Sequence, residues 1–401
     1  MDLDFRAEDL AFQEEARSFI DTHWPVSLRT PRGVNSEYGK ELPSTVRRWF
    51  DALIARGWSA PHWPVEHGGT DWSPTQHYIW DRETARAGAP NAAPFGMTML
   101  APVLWTWGTP EQKANFLPKI REHQMSWCQG YSEPGAGSDL ASLATRAVRD
   151  GDHYVVNGTK IWTSGAHAAD WMFCLVRTDP KPKKKQEGIS FLLIDMKTPG
   201  INVTPILILG NQHTVNSVTL TDVRVPVTNL VGEQDRGWTY AKALLTHERT
   251  GIAGVARTQA EIIKLRKLAN DTQADGACLI DDALFRTKLE EVEVLCLALE
   301  MTELRTLAAV ESGKAPGPES SLLKIRGTEL QQRVSDLQME ALGSYVAPYV
   351  DPAREGDNEL PIGPAQALPA LRGMLYGRAA TIFGGSNEIQ RNIIAKAVLG
   401  L

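Results

Sequence analysis

The chain has 401 residues, with 42 Lys and Arg against 48 Asp and Glu, a formal charge of −6, and 42% hydrophobic and 22% charged residues. This balance is that of a globular protein; it excludes a disordered tail or a fibrous repeat and argues against a nucleic-acid binder. At roughly 150 residues per domain the length gives two or three domains, and no apolar run approaches the ~18 residues of a membrane span.

The opening segment, MDLDFRAEDLAFQEEARSF, has no basic or apolar leader. No secretory signal is therefore expected, and the cytoplasm is the default compartment. Cys128, Cys174, Cys278 and Cys296 form no C-x-x-C pair, so neither zinc nor a disulfide framework is predicted. Phe12, Ala16, Phe19 and Ile20 recur at helical spacing, and residues 1–125 read as a helical domain broken at Pro and Gly clusters. Thr109-Pro110-Glu111 predicts an N-cap followed by Pro at the first helical position.

The texture changes near residue 126. Short β-type runs cover Trp171 to Val176, Ile189 to Ile194 and Val218 to Val225, and Asn157-Gly158 between Tyr154-Val155-Val156 and Thr159-Lys160-Ile161-Trp162 predicts a hairpin turn. The Lys181 to Lys185 run reads as a solvated loop. Residues 126–235 are thus predicted to form a β domain. Helical periodicity returns over about 238–272, 281–312, 319–345 and from 366, giving an α bundle over 236–401. Residues 348–364, with four Pro and two Gly, should be irregular. The fold class is therefore α+β and multidomain.

Common catalytic motifs fail. Gly135-Ala136-Gly137 lacks the third Gly and the βαβ setting of a dinucleotide fingerprint, and His247-Glu248 has Gly251 where a second zinc-binding His would stand. No serine elbow or phosphate-binding P-loop occurs.

Three segments remain. Tyr131-Ser132-Glu133-Pro134-Gly135-Ala136-Gly137-Ser138-Asp139 combines glycines with small polar residues, a turn suited to exposing backbone N–H groups to an anionic or carbonyl-rich ligand. Lys160-Ile161-Trp162-Thr163-Ser164-Gly165 places a Trp and two hydroxyls at a strand end, where they would face a flat ring. Ile382 to Arg391 sets Gly384-Gly385 before a Ser386-Asn387-Glu388 helix start. Each alone also reads as ordinary turn, sheet or cap.

In their order and spacing these segments resemble the acyl-CoA dehydrogenase family over essentially the whole chain. The resemblance implies a helical N-terminal domain, a middle β-barrel and a C-terminal four-helix bundle. It implies FAD as cofactor, an acyl-CoA substrate dehydrogenated to a trans-2-enoyl-CoA, and an electron-transfer flavoprotein as acceptor. By the same resemblance Ser132, Gly137, Ser138, Trp162, Thr163, Ser164, Ser386, Asn387 and Glu388 would contact FAD, and Ser138 and Gly385 would lie near the substrate.

Most relatives carry their catalytic Glu at the position of Gly384. A subgroup similar to isovaleryl- and long-chain acyl-CoA dehydrogenases carries it on the first bundle helix before an Arg, here Glu248-Arg249. Leu244, Leu245, Ile252 and Val255 put Glu248 on an apolar stripe, with Gly251, Ala253 and Gly254 leaving room beside it. On the residues alone Glu248 reads either as a base facing a cavity or as half of an interhelix ion pair; with the resemblance it is assigned the base, Arg249 the nucleotide end of CoA, and the Gly384 N–H the thioester carbonyl. Gly384 also leaves volume for branched or bulky acyl groups.

Two departures bear on assembly. The stretch Arg266 to Gly276, RKLANDTQADG, lacks the Arg-x-x-Phe-Gly of relatives, and Gln338 is followed by Met339-Glu340-Ala341-Leu342-Gly343 rather than a Gln-x-x-Gly-Gly pattern. The resemblance then implies either a homo-oligomer holding FAD differently or a heterotetramer with a related subunit, as among steroid side-chain and dicarboxylic acyl-CoA dehydrogenases. The alternatives are a non-catalytic partner subunit and a flavin monooxygenase or oxidase on the same fold.

Overall fold

The computed structural model describes residues 5–28, 42–92, 94–274, 276–311, 317–348 and 362–401; the side chains of 245–252, 274, 310 and 311 lie outside that description. The N-terminal unit contains α1 (Ala7–His23), α2 (Ser44–Arg56), α3 (Pro74–Ala87), a π-helical turn Phe95–Leu100, α4 (Ala101–Trp107) and α5 (Pro110–Arg121). Helix starts follow local chemistry. Ser73 and Thr109 each close a capping box with a Gln three residues on, and each is followed by Pro at the first helical position. Phe12, Ala16 and Ile20 are buried as their spacing predicts, among Trp24, Trp49, Phe50, Trp58, Tyr78 and Trp80.

The middle unit is a seven-stranded sheet of β1 (Trp127–Gly130), β2 (Arg146–Asp150), β3 (His153–Ser164), β4 (Trp171–Arg177), β5 (Ile189–Asp195), β6 (Ile201–Ile208) and β7 (Gln212–Pro226). The hydrogen-bonded path runs β1-β4-β2-β3-β7-β6, with β5 on the other side of β4. Alternation along β4 and β5 feeds two cores. Met172, Cys174, Val176, Leu192 and Ile194 join Cys128, Val156, Val218 and Val223 inside the wrapped sheet. Phe173, Leu175, Phe191 and Leu193 face Leu100, Leu104, Phe116, Leu117 and the next helix.

Asn157-Gly158 is not a hairpin turn, contrary to the sequence expectation. It lies inside β3, where the register against β7 shifts between Val156 and Gly158. A Cβ at Gly158 would come within 2.7 Å of the Thr145 Cα, so the glycine permits a bulge and a close backbone approach. The Asn157 amide is spent on Asp222 of β7, donating to its carboxylate at 3.0 Å and accepting its N–H at 2.9 Å. The reversal into β3 is instead made at Gly151-Asp152, between the paired Asp150 and His153.

The C-terminal unit holds α6 (Gly237–Ala253), α7 (Val255–Asp271), a short hairpin β8 (Gln273–Ala274) and β9 (Ala277–Cys278), α8 (Ala283–Glu311), α9 (Glu319–Leu342), α10 (Ala367–Gly377) and α11 (Asn387–Ile394). The periodic run expected over 238–272 is two helices, broken at Gly254 with φ +56°. The break lies against α9: a Cβ at Gly327 would meet the Ala253 carbonyl oxygen at 2.5 Å, and Gln331 donates to that carbonyl at 3.0 Å. Most of the 348–364 stretch lies outside the described residues. Among the described residues no helix is long and apolar enough to cross a membrane.

Candidate functional site

The turn after β1 is closed by reciprocal backbone bonds between Glu133 and Ala136, both 3.0 Å. Behind it the Glu133 carboxylate is buried, accepting the N–H groups of Ala144 at 2.6 Å and Thr145 at 2.9 Å and the ammonium of Lys160 at 2.7 Å. Lys160 is fully buried and also donates to the Tyr131 carbonyl at 3.2 Å. Burial pushes the Glu133 carboxyl up, but Lys160 and the hydrogen bonds outweigh it and hold it below the usual carboxylate range. The Ile161 N–H adds a bond to the Ser132 carbonyl at 2.9 Å. The buried pair thus fastens the 132–139 turn to the strand end carrying Trp162, Thr163 and Ser164.

On the outer side Gly135, Gly137 and Ser138 are exposed and Ser132 is half-buried. A Cβ at Gly135 or Gly137 would meet nothing within 4 Å, and neither glycine has positive φ. The chain's own packing therefore does not require glycine there, whereas a ligand pressed on the backbone would. Asp139 pairs with Lys185 at 2.6 Å and accepts the Ser142 hydroxyl at 2.6 Å, which hold its carboxyl below the ordinary range. So one lysine of the solvated 181–185 loop reaches back to the turn.

Trp162 stands at a second interruption of the β3–β7 ladder, between Lys160 and Thr163. It adopts φ +59°, a left-handed conformation uncommon for a bulky side chain, and the residue is 57% exposed. Thr163 is buried and its hydroxyl finds no partner among the described residues, while its carbonyl accepts from the Asn216 amide at 3.0 Å. Ser164 is half-buried beside it.

The terminal segment is pinned to α9. Gly384 and Gly385 have φ +65° and +80°, which glycine tolerates without strain. Their carbonyls accept from the amide of fully buried Gln390 at 3.1 and 3.2 Å, and Ser321 donates to Gln390 at 2.8 Å. Ser386 caps α11, accepting from the Ile389 N–H at 3.4 Å. Buried Asn387 accepts from fully buried Lys324 at 2.9 Å. Glu388 is exposed, its carboxyl held low by its own backbone N–H and the Ser386 hydroxyl.

The structure therefore joins the turn and the strand end directly. Among the described residues no hydrogen bond or ion pair links 384–391 to 132–164. Glu248 and Arg249 lie on α6, and their side chains fall outside the described residues. That helix starts against β5, where a Cβ at Gly237 would lie 2.9 Å from the Phe191 nitrogen. Tyr240, Ala241 and Leu244 pack into the core shared by the N-terminal helices and the sheet. Sequence reasoning assigned no role to Glu133, Lys160, Lys324, Gln390 or Asn216. The period of two from Val156 to Lys160 was a usable signal that this lysine points inward. The exposed Trp face, the orphaned Thr163 hydroxyl and the open glycine backbone fit a flat ring with an anionic tail, as FAD has.

Three family models cover the chain: acyl-CoA dehydrogenase N-terminal domain at residues 6–124, middle domain at 128–223 and C-terminal domain at 235–399. Acyl-CoA dehydrogenase IpdE1 of Mycobacterium tuberculosis is 39% identical over 359 residues, 88% of this chain and 88% of that protein. Acyl-CoA dehydrogenase FadE26 of the same organism is 36% identical over 97% of both chains. Among solved structures, the Tcur3481-Tcur3483 steroid ACAD matches with TM-score 0.84 and 31% identity, covering 100% of this chain and 99% of that one. The ChsE4-ChsE5 complex from Mycobacterium tuberculosis matches with TM-score 0.82 and 34% identity at the same coverage.

Proposed function

Because this chain belongs to the acyl-CoA dehydrogenase family of FAD-binding oxidoreductases acting on acyl-CoA, we propose that it converts an acyl-CoA thioester to a trans-2-enoyl-CoA with Glu248 as the base. Glu248 takes the α-proton onto a carboxylate oxygen. The N–H of Gly384 donates to the thioester carbonyl oxygen and stabilises the charge that develops there. FAD, when bound, supplies the acceptor for the β-hydrogen and its electron pair. Ser132, Gly137 and Ser138 offer the turn's N–H and hydroxyl groups to its phosphates, and Trp162, Thr163 and Ser164 face its ring. Ser386, Asn387 and Glu388 approach from the bundle; the Asn387 oxygen is committed to Lys324, which leaves its amide N–H groups for the cofactor. Ser138, Arg249 and Gly385 hold the CoA ester.

The domains in this reading are 1–125, 126–235 and 236–401, in a cytoplasmic setting. A glycine at 384 leaves room for a bulky acyl group, and two similar structures are described as a steroid ACAD and as a two-component complex. We therefore take the substrate as a bulky, steroid-derived acyl-CoA, the assembly as a heterotetramer with a related subunit, and an electron-transfer flavoprotein as the acceptor.

The observation that carries the reading is the strained, exposed Trp162 fastened beside the open-backbone turn. Anaerobic titration of the purified protein with a panel of acyl-CoA esters tests it, with flavin bleaching as the readout. Bleaching by bulky esters is expected, and Glu248→Gln should keep FAD while bleaching about 10²–10⁴-fold more slowly. Unchanged bleaching in Glu248→Gln would remove the proposed base.

A further inference from the structure

Behind the strand end, β3, the 165–170 loop and β7 close around Asn216, whose side chain is fully buried. Asn216 stands opposite Thr163 where the β3–β7 ladder resumes after the Trp162 interruption. Its Nδ2 donates to the Thr163 carbonyl at 3.0 Å and to His167 Nδ1 at 3.1 Å, and its Oδ1 accepts from His213 Nε2 at 2.8 Å. The Thr163 carbonyl can only accept, so it fixes which end of the amide faces it. That orientation in turn requires His167 to leave Nδ1 unprotonated and His213 to carry its proton on Nε2. The two rings lie 4.3 Å apart between centroids.

We infer that Asn216 is a positioning residue that holds the Trp162–Ser164 strand end in its flavin-facing shape, and that a proton on His167 releases this hold. The inference rests on the reading of 162–164 as cofactor contacts. With Nδ1 protonated, His167 and the Asn216 amide present two donors to each other. The amide must then turn away, and the Thr163 carbonyl loses that side-chain donor as well. The surroundings oppose that proton near neutral pH. Burial pushes the His167 imidazole below its ordinary range, and His213 of β7 pushes the same way. Lys197, from the turn after β5, lines the same cavity of about 300 Å³. Asp170 of the loop is occupied by Ser126, whose hydroxyl donates to it at 2.8 Å. The sign follows: the imidazole is neutral in the gripping state, so the grip is complete above its ordinary pKa of about 6.5 and is lost as pH falls.

The test is the FAD dissociation constant of the purified enzyme, or of the complex it is purified in, read by flavin fluorescence and visible circular dichroism from pH 5 to 8. The wild type should bind about three- to tenfold more weakly at the acid end, the worth of one hydrogen bond. Asn216→Ala should bind that much more weakly at every pH, with no acid step. His167→Gln, whose side-chain oxygen accepts from Asn216 without titrating, should bind tightly with a flat profile. An acid step that persists in His167→Gln, or wild-type FAD affinity in Asn216→Ala, overturns the inference. Should Asn216→Ala fail to fold, the His167→Gln profile still decides. A wild type that takes up no FAD overturns the functional reading together with this one; a wild type bleached by acyl-CoA beside an unaltered His167→Gln profile overturns this one alone.

Discussion

The turn–strand half of the site, residues 132–164, and the terminal half, 384–391, are both built on a lysine with no solvent exposure, yet the acceptors that bind the two halves to these lysines differ. Lys160 meets the carboxylate of Glu133, itself gripped by two backbone N–H groups, whereas Lys324 meets the amide oxygen of Asn387. The first half is held by an ion pair, and its glycines are open to the outside. The second is held inside by amides and hydroxyls around Lys324, with an exposed Arg391–Glu329 ion pair at 3.0 Å on its outer side, and Gly385 is enclosed by Gln390. One half is thus an ion-paired mount with a free surface, and the other an amide-lined clasp whose glycines are needed by the fold itself.

The largest expected effect follows from the charged mount. Lys160→Met leaves the buried Glu133 carboxylate without its cation, and breaking such a pair costs about 3–5 kcal/mol. Chemical denaturation should show that loss, and FAD should wash out on gel filtration. Glu133→Gln added to Lys160→Met should return part of the stability, since no buried charge then remains. A single variant as stable as wild type would mean that the pair does not hold this half together.

The glycines separate the halves next. Gly385→Ala forces a side chain into φ +80° and within 2.6 Å of the Gln390 amide nitrogen. It should cost about 1–3 kcal/mol and lower the melting temperature even without cofactor. Gly137→Ala meets nothing, so it should leave cofactor-free melting unchanged while weakening FAD binding. If both act alike on the cofactor-free protein, the contrast between a free surface and an enclosed clasp is wrong.

Acid should also act on one half first. The Glu133 carboxyl titrates below its ordinary range in the folded chain. Its contribution is therefore present above the ordinary carboxylate pKa of about 4.3 and is lost as pH falls through the lower folded value. Hydrogen exchange at the Ala144 and Thr145 amides, which donate to Glu133, should rise in that acid window beyond the intrinsic change. The Asn387 oxygen does not titrate in that window, so its hydrogen bond from Lys324 should persist there.

The sequence made some of this legible and hid the rest for identifiable reasons. Local chemistry carried the Thr109 cap, the Phe12–Ala16–Ile20 face and the Ser386 helix start, because each depends on residues a turn away. The three segments were visible as short patterns. What fastens them was not: Lys160 reaches Glu133 across 27 positions and Lys324 reaches Asn387 across 63. Gly254 breaks a periodic run because α9 approaches at Gly327, a tertiary demand with no local mark. Asn157-Gly158 misled for a related reason. The pair supplies the backbone freedom of a turn, but the neighbouring strand uses it for a bulge, and the side chain that would have stabilised a turn is taken by Asp222.

The smallest effect is the sharpest test of the open surface. At an ordinary strand position glycine is less stable than alanine by about 0.5–1 kcal/mol, because it has more backbone freedom to lose. Trp162 sits at φ +59°, where any side chain with a Cβ is strained by roughly 1–2 kcal/mol and glycine is not. Trp162→Ala and Trp162→Gly both delete the ring and with it the same indole packing, so the two differ in their backbone energetics. The usual order should therefore reverse, with Trp162→Gly more stable than Trp162→Ala by about 0.5–1 kcal/mol in cofactor-free denaturation. Both should bind FAD more weakly than wild type. If alanine is the more stable of the two, the strand end is not held in a left-handed bulge, and the Trp ring has no fixed position from which to meet a flavin.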